Sequence, residues 1–266
     1  MPAGSPALPP AFDLAALPTA PSPAQDRAAS REALDALREA LAQQQELLYA
    51  NRRRSLLVIL QGMDASGKDS TIRRAFGYAS PSSLAVHAFR APAGEELAHD
   101  FLWRVGRRLP ERGMIGIFNR SHYEALVYDP VQGLCDEAER QRRLQSVRDF
   151  ERHLAGSGTV LCKLFLNIGK AEQKRRLVER ITDPSKHWKL GPDDLAVRRE
   201  FDRYRALWSE TLAATHTPEA PWHVIPADSR RFRDHCVLTV LVEALGALRM
   251  AYPPRAPALR PEDVAD

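Results

Sequence analysis

The sequence has few cysteines, no long apolar run and little net charge. Its three cysteines, Cys135, Cys162 and Cys236, lie far apart and match no metal-ligand spacing, which indicates reduced thiols packed as small apolar side chains. No apolar stretch approaches the roughly 18 residues that a membrane-spanning helix needs. The first basic side chain is Arg27, so we expect neither a signal peptide nor a membrane anchor. These absences predict a cytoplasmic protein.

The charges of the 266 residues nearly balance, since 38 Lys and Arg face 34 Asp and Glu and leave a net charge of +4. Overall charge therefore gives no reason to expect a nucleic-acid partner, and any preference for acidic ligands must come from local clusters of basic residues. The segments 1–29 and 253–266 are rich in Pro and Ala. We predict that they are tails, which pack only where they find a groove, on either side of one domain over 30–252.

Five aliphatic runs predict the strands of a parallel sheet, at 55–60, 84–89, 114–118, 159–166 and 222–226. The first, SLLVIL, is continuously apolar, as expected of a central strand that is covered on both faces. Helical stretches are predicted around these runs, at 30–50, 68–79, 94–109, 136–155, 170–182, 192–214 and 229–250. This alternation predicts a three-layer α/β fold, with five parallel strands and helices on both faces of the sheet.

The stretch LQGMDASGKDST, residues 60–71, has the Gly-x-x-x-x-Gly-Lys spacing of a Walker A loop. It directly follows a predicted buried strand and opens a helix, which is the context in which this motif binds phosphate. Backbone N–H groups and the Lys68 ammonium would hold the phosphate oxygens. We predict that the phosphate-binding residues are Gly62, Ala65, Ser66, Gly67, Lys68, Asp69, Ser70 and Thr71.

Two carboxylates in this anion-binding loop require an explanation. Asp64 tolerates a bound phosphate only if a cation lies between the two, so we predict that it binds magnesium, directly or through water. Asp69 stands where a Ser or Thr normally holds the metal. In the first turn of a helix its charge favours the positive end of the helix dipole, and metal binding is the alternative.

A second set of polar residues, FNRSHYE at 118–124, follows the third predicted strand. Because the carboxyl ends of parallel strands line the ligand crevice, these side chains should face Lys68. We predict that Arg120 stabilises charge on a transferred phosphoryl group, with a structural ion pair as the alternative. Asn119 would offer a carbonyl oxygen to the metal or orient a bound water. Glu124 and Asp129 would supply a further carboxylate or serve at the surface.

The segment 181–194, ITDPSKHWKLGPDD, combines prolines, a glycine and basic residues between two helices, and we predict that it is a lid. Arg180, Lys186 and Lys189 would close on phosphates, whereas Lys170 and Lys174 would face solvent. Further bases lie at Arg73, Arg74, Arg104, Arg107, Arg108 and Arg112. Such a basic cleft suits a substrate that carries many phosphates.

These motifs resemble the polyphosphate kinase 2 family. The resemblance rests on LLVILQGMDASGKDSTIRRAF, ELAHDFLWRVGRRLPERGMIGIFNRSHYE and ERITDPSKHWKLGPDD, which run through most of residues 56–194. It implies a P-loop kinase fold with a lid, a need for Mg²⁺ for which Mn²⁺ can substitute, direct phosphoryl transfer and a homo-oligomer. Position by position, it implies a metal role for Asp64, a phosphate role for Lys68, and contacts of Arg120 and Arg180 with the transferring phosphates.

Two positions depart from the pattern of much of the family. Asn119 stands where many members have Asp, as in the class III subgroup, and Ala125 replaces another Asp. The expected activity is transfer of the terminal phosphoryl of inorganic polyphosphate to AMP and ADP, giving ADP and ATP. Two alternatives remain open at this point: an ATP-dependent nucleoside monophosphate kinase resembling thymidylate kinase, and an inactive nucleotide- or polyphosphate-binding regulator.

Overall fold

The computed structural model describes residues 12–189, 191–254 and 263. Residues 1–11 of the predicted N-terminal tail, Leu190 of the predicted lid and most of the predicted C-terminal tail lie outside the described residues. In the described part of the chain, no helix has the length and apolarity needed to cross a membrane.

Five strands form the sheet: β1 (Ser55–Gly62), β2 (Leu84–Ala88), β3 (Ile115–Asn119), β4 (Thr159–Asn167) and β5 (Trp222–Pro226). The α-helices are α1 (Pro23–Ala28), α2 (Arg31–Asn51), α3 (Lys68–Ala75), α4 (Trp103–Gly106), α5 (Glu124–Val131), α6 (Glu137–Gly156), α7 (Lys170–Thr182), α8 (Pro192–Arg199), α9 (Phe201–Thr215) and α10 (Arg230–Gly246). Short 3₁₀ helices cover Leu14–Ala16, Pro81–Ser83, Gly94–Ala98 and Pro184–Lys189.

The strands are all parallel, in the order β2-β3-β1-β4-β5. β1 is central, with Val58 level with Ile117 of β3 and Cys162 of β4, and residues 55–61 are buried. Helices α2, α3 and α10 pack together, with α10 on β4 and β5, while α6 packs on β4 with α5 and α9. The predicted three-layer α/β fold with five parallel strands is confirmed. This topology brings the ends of β1 and β3 side by side.

Two of the predicted helices were wrong. Residues 94–109 form a 3₁₀ turn and the short α4 instead of one helix, because the Asp100 carboxylate accepts a hydrogen bond from the Leu102 N–H (2.9 Å) and so competes with helical bonding. Residues 192–214 form two helices separated at Glu200. Arg198 ties the end of α8 to α7 through Gln173 (2.7 Å), whereas α9 packs on α5 and α6. Helix α5 was not predicted.

The described part of the predicted N-terminal tail packs on the domain. Leu14 is buried, and its N–H donates to Ser209 Oγ of α9 (3.0 Å). Thr19 Oγ1 donates to Asp228 Oδ2 (2.7 Å), and Asp26 accepts from Ser229 Oγ (2.6 Å) just before α10. These contacts fix the start of the described chain against α9 and the loop between β5 and α10.

A buried ion pair between β4 and α6 contacts Tyr123, in the segment that follows β3. Lys163 Nζ of β4 is 2.6 Å from Glu151 Oε2 of α6, and it also donates to the Thr215 carbonyl (2.7 Å). Tyr123 Oη donates to Glu151 Oε1 (2.7 Å), and burial together with the Glu151 charge raises the pKa of Tyr123 well above its usual value. All three side chains are almost fully buried. This network, which anchors the segment that follows Arg120, was not among the sequence predictions.

Candidate active site

A cleft of about 1110 Å³ opens at the carboxyl ends of the strands. The loop after β1, the segment after β3, residues 88–105 and the predicted lid line it. Most predicted site residues meet in this cleft: Gly62, Asp64, Ala65, Gly67, Lys68, Asp69, Ser70, Asn119, Arg120, Arg180, Lys186 and Lys189. Ser66 and Thr71 are buried, and their hydroxyl oxygens have no hydrogen-bond partner in the described structure.

The loop between β1 and α3, residues 62–67, has the left-handed backbone that a phosphate-binding loop needs. The φ angles are 148° at Gly62, 62° at Ala65 and 102° at Gly67. Lys68 folds back over the loop and donates to the Gly62 carbonyl (2.8 Å) and the Met63 carbonyl (3.4 Å). Burial and the nearby Arg120 lower the pKa of Lys68. The ammonium therefore lies at the mouth of the loop, where phosphate oxygens would bind.

Residues at the end of β3 contact two carboxylates, Asp64 in the loop and Asp69 in the first turn of α3. Arg120 Nη2 lies 2.7 Å from Asp64 Oδ1, and Asn119 Nδ2 donates to Asp69 Oδ1 (2.5 Å). Arg120 has a positive φ of 62°, which costs energy for a residue with a side chain. Its N–H donates to the Leu60 carbonyl (3.1 Å). The strained backbone thus turns the guanidinium toward the loop, where it pairs with Asp64.

Glu124 and Asp129 have different surroundings. The Gln61 amide, oriented to satisfy its neighbours, donates to Glu124 Oε1 (2.9 Å) and accepts from the Ser121 N–H (3.0 Å). Burial raises the pKa of Glu124, although Arg120 and Lys68 oppose the shift. Asp129 is paired with Arg143 at 2.8 Å. Glu124 therefore adds a carboxyl group near the loop, while the Asp129 charge is compensated by a neighbouring arginine.

Three buried residues that support the loop were missed by sequence reasoning. Arg176 Nη1 donates to the carbonyls of Ala65 and Ser66 (both 3.0 Å). Arg233 Nη1 donates to the Ser66 carbonyl (3.1 Å), and Gln173 Nε2 donates to the Asp64 carbonyl (3.0 Å). The only signal for Arg176 was a run of basic residues on α7, which favours a solvated helix face.

The predicted lid, 181–194, runs from the end of α7 to the start of α8 and contains the 3₁₀ helix Pro184–Lys189, which packs on α7. Arg180 Nη1 donates to the Lys189 carbonyl (3.1 Å). Lys186 pairs with Asp183 (2.6 Å) and Glu179 (2.7 Å), and the hydrogen bonds to these carboxylates raise its pKa. Two bases of the lid, Lys186 and Lys189, therefore line the cleft together with Arg180 near the end of α7. Lys186 must exchange its carboxylate partners if it is to contact a phosphate.

The loop also offers oxygen donors for a divalent cation. Within the described residues, no three His, Cys, Asp or Glu side chains form a ready-made metal cluster. Mg²⁺ commonly binds to one or two protein carboxylates and takes its other ligands from water and substrate phosphates. Asp64 and Asp69 fit that requirement, with Asn119 orienting Asp69. A metal role for Asn119 itself stays a prediction.

Comparisons with known proteins show which family the chain resembles. The model of the polyphosphate kinase 2 (PPK2) family matches residues 24–252. The AMP/ADP-polyphosphate phosphotransferase of Meiothermus ruber is 45% identical over 225 residues, which are 85% of this chain and 84% of that protein. The ADP-polyphosphate phosphotransferase of Rhodopseudomonas palustris is 39% identical over 236 residues, covering 84% and 82% of the two chains.

A solved structure extends this similarity to the fold. The crystal structure of polyphosphate kinase 2 from Arthrobacter aurescens TC1 matches with a TM-score of 0.89 and 38% identity, over 97% of this chain and 93% of that one. The resemblance inferred from the motifs is thereby confirmed, and so is the P-loop kinase fold. The chain belongs to the polyphosphate kinase 2 family.

Proposed function

We propose that the protein is a polyphosphate-dependent nucleotide kinase, which transfers the terminal phosphoryl of inorganic polyphosphate to AMP and ADP and so gives ADP and ATP. The observation that carries this proposal is the distribution of charge in the cleft. Lys68 and Arg120 lie at the loop, and further bases extend from it along α3, α7, the lid and α10: Arg73, Arg74, Arg180, Lys186, Lys189 and Arg230. A polyanion would bind along such a track through many weakly directional contacts. The names of the relatives support the same donor and acceptors.

The reaction exchanges one phosphorus–oxygen bond for another. An oxygen of the nucleotide's terminal phosphate forms a bond to the last phosphorus of the polyphosphate, and the bond from that phosphorus to its bridging oxygen breaks. The shortened chain leaves with the bridging electron pair. Because the attacking oxygen is already an anion, no strong general base is needed, and positioning and charge stabilisation supply the catalysis.

The residues of the cleft divide these tasks. The N–H groups of the loop and Lys68 would hold phosphate oxygens, and Arg120 and Arg180 would stabilise charge on the transferring group. Asp64 would hold a divalent cation, Mg²⁺ with Mn²⁺ as a substitute, whose charge would offset that of the phosphates. We further propose that the protein is a homo-oligomer and that it is located in the cytoplasm. The mass of the purified protein, measured by light scattering, tests the first proposal. Fractionation of cells tests the second.

The test uses the purified protein with AMP and ADP separately, with either long-chain polyphosphate or ATP as the donor. Polyphosphate should convert ADP to ATP and AMP to ADP with no other donor present. Turnover of AMP with ATP but not with polyphosphate would favour the kinase resembling thymidylate kinase. If the protein bound polyphosphate and nucleotide but showed no turnover with magnesium present, it would be an inactive regulator that binds these ligands.

Replacing Arg120 with alanine should lower kcat by about 10²-fold for both nucleotides and change their KM much less. The guanidinium contact strengthens as charge moves onto the transferring group, so its loss is felt mainly in the transition state. Steady-state kinetics at saturating polyphosphate measure the split. The exposed Arg142, which pairs with Glu139 on the surface, provides a control when changed to alanine. If the variant instead raised KM by about 10²-fold and left kcat unchanged, the assigned role of Arg120 in the transition state would be contradicted.

Replacing Asp64 with asparagine should raise the Mg²⁺ concentration for half-maximal activity by about tenfold or more, because the metal site loses a charged ligand. Excess Mg²⁺ should then restore part of the activity. The same titration on Lys68→Ala should leave the Mg²⁺ requirement unchanged, because Lys68 contacts phosphate in this proposal. Equal rescue of both variants would show that the two residues do not have separate roles.

Replacing Lys186 or Lys189 with alanine should weaken polyphosphate binding and make its salt dependence shallower. Each basic contact with a polyanion releases counterions, so losing one reduces the slope of log affinity against log salt by about 1. Fluorescence titrations of labelled polyphosphate at several salt concentrations give the slope. Lys174 is exposed on α7, and its alanine variant should keep the original slope. Unchanged slopes for both lid variants would place these lysines outside the phosphate track.

A further inference from the structure

Two fully charged side chains support the phosphate loop from within the protein. The Arg233 side chain on α10 is 0% exposed and the Arg176 residue on α7 is 6% exposed. Both guanidinium groups donate to the same atom, the Ser66 carbonyl oxygen, at 3.0 Å from Arg176 and 3.1 Å from Arg233. Buried charges are costly unless they are paired, and these are paired with Glu172 (2.7 Å) and Asp234 (2.6 Å).

The shared carbonyl fixes the direction of one peptide N–H. In a planar trans peptide the C=O and the N–H of the next residue point in opposite directions. Because both guanidinium groups hold the Ser66 carbonyl, the Gly67 N–H points away from them. This is the amide immediately before Lys68, at the start of helix α3, where N–H groups are available to an anion.

Both guanidinium groups donate several hydrogen bonds at once, in a geometry that a lysine ammonium cannot reproduce. Arg176 Nη2 also donates to the carbonyls of Ala227 (2.7 Å) and Asp228 (2.9 Å), so it ties the loop to the chain between β5 and α10. Arg233 Nη2 also donates to Ser70 Oγ (3.2 Å). A guanidinium presents these donors in a rigid fork, whereas an ammonium is a single compact charge.

Gly67 shows how closely the loop packs on Arg233. A Cβ atom at this position would overlap Arg233 Nη1. The second glycine of the motif is therefore required by the approach of the guanidinium as well as by its φ of 102°. The Gly67 backbone and the Arg233 guanidinium are therefore packed in direct contact.

We propose that Arg233 and Arg176 are positioning residues for phosphoryl transfer, which orient the Ser66–Gly67 peptide so that the Gly67 N–H binds a phosphate of the polyphosphate chain. The proposal rests on the proposed function for the identity of the anion. Neither arginine needs to contact the substrate. Each acts through the loop, and the loss of either arginine removes one of the two guanidinium hydrogen bonds to the Ser66 carbonyl.

The direct test is nuclear magnetic resonance of the wild-type protein with ¹³C-carbonyl serine and ¹⁵N glycine. The sequence has two Ser-Gly pairs, Ser66-Gly67 and Ser157-Gly158, so a carbonyl-filtered spectrum contains two amide signals. Tripolyphosphate should shift the Gly67 signal and leave the Gly158 signal, in the turn before β4, in place. An unchanged Gly67 signal at saturating tripolyphosphate would overturn the proposal. This readout requires no turnover, so it separates the proposal from the proposed activity.

Variants then test the arginine itself. Arg233→Met should weaken tripolyphosphate binding about tenfold by calorimetry, since an oriented hydrogen bond to a charged group is lost, and lower kcat by about 10²-fold. Arg233→Lys should recover little of either. Arg231→Met is the control, because Arg231 is on the same helix and pairs with Asp26 at the surface (2.7 Å). If Arg233→Met lowers only the melting temperature and otherwise matches this control, Arg233 has a purely structural role.

Discussion

Replacing Lys68 with alanine should reduce kcat by about 10³-fold, the largest catalytic loss that we expect from a single substitution. The ammonium lies at the mouth of the loop, 2.8 Å from the Gly62 carbonyl, and burial lowers its pKa. A preorganised charge in such a site acts on the transferring phosphoryl with little screening by water. Turnover of ADP with polyphosphate, measured by the ATP formed, would report the loss.

Lys174→Ala is the matched control for Lys68→Ala, since it removes the same charge from an exposed position on α7. Its kcat should stay close to that of the unchanged protein. Thermal unfolding of both variants shows whether the fold is kept. If Lys68→Ala keeps more than about a tenth of the activity, the ammonium does not supply transition-state stabilisation of the expected size.

Replacing Lys163 with methionine should lower the free energy of unfolding by about 3–5 kcal/mol, because the Glu151 carboxylate would remain buried without the positive charge that compensates it. Urea unfolding followed by circular dichroism measures the change. The double variant Lys163→Met with Glu151→Leu should be more stable than the single variant, because no uncompensated charge is left. Additive losses in the double variant would contradict this account.

An exposed lysine provides the comparison for Lys163. Lys170 pairs with Asp202 at 2.6 Å, the same distance as between Lys163 and Glu151, but both partners are largely exposed. Lys170→Met should therefore cost less than about 1 kcal/mol. The contrast isolates the effect of burial from that of hydrogen-bond length.

The sheet could be predicted from the sequence because its strands are continuous aliphatic runs, a pattern that local composition reveals. Each of the five strands lies within two residues of its predicted bounds. The region between β2 and β3 could not be predicted in the same way. Its apolar residues have helical spacing, but Asp100 bonds to the local backbone and ends the regular pattern.

The candidate site likewise contains residues that the sequence predicts and residues that it does not. The residues of the loop and of the β3 end could be predicted, since a motif of fixed spacing and the topology of parallel strands place them. Arg176 and Arg233 could not, because their partners lie 110 and 167 residues away along the chain. A structural ion pair was the stated alternative for Arg120, but its partner Asp64 could not be predicted, because the contact depends on the left-handed backbone at Arg120.

The support of the phosphate loop by Arg233 has a consequence for protein synthesis. The ribosome makes the loop early, but Arg233 follows Ser66 by 167 residues. At about 5–20 residues per second, roughly 8 to 33 seconds separate the synthesis of the loop from that of its second arginine. Throughout that interval the growing chain carries the complete Walker sequence without one of the two arginines that hold the Ser66 carbonyl. A chain released before α10 is made would retain the motif and the α7 contacts but lack the Arg233 support of the loop.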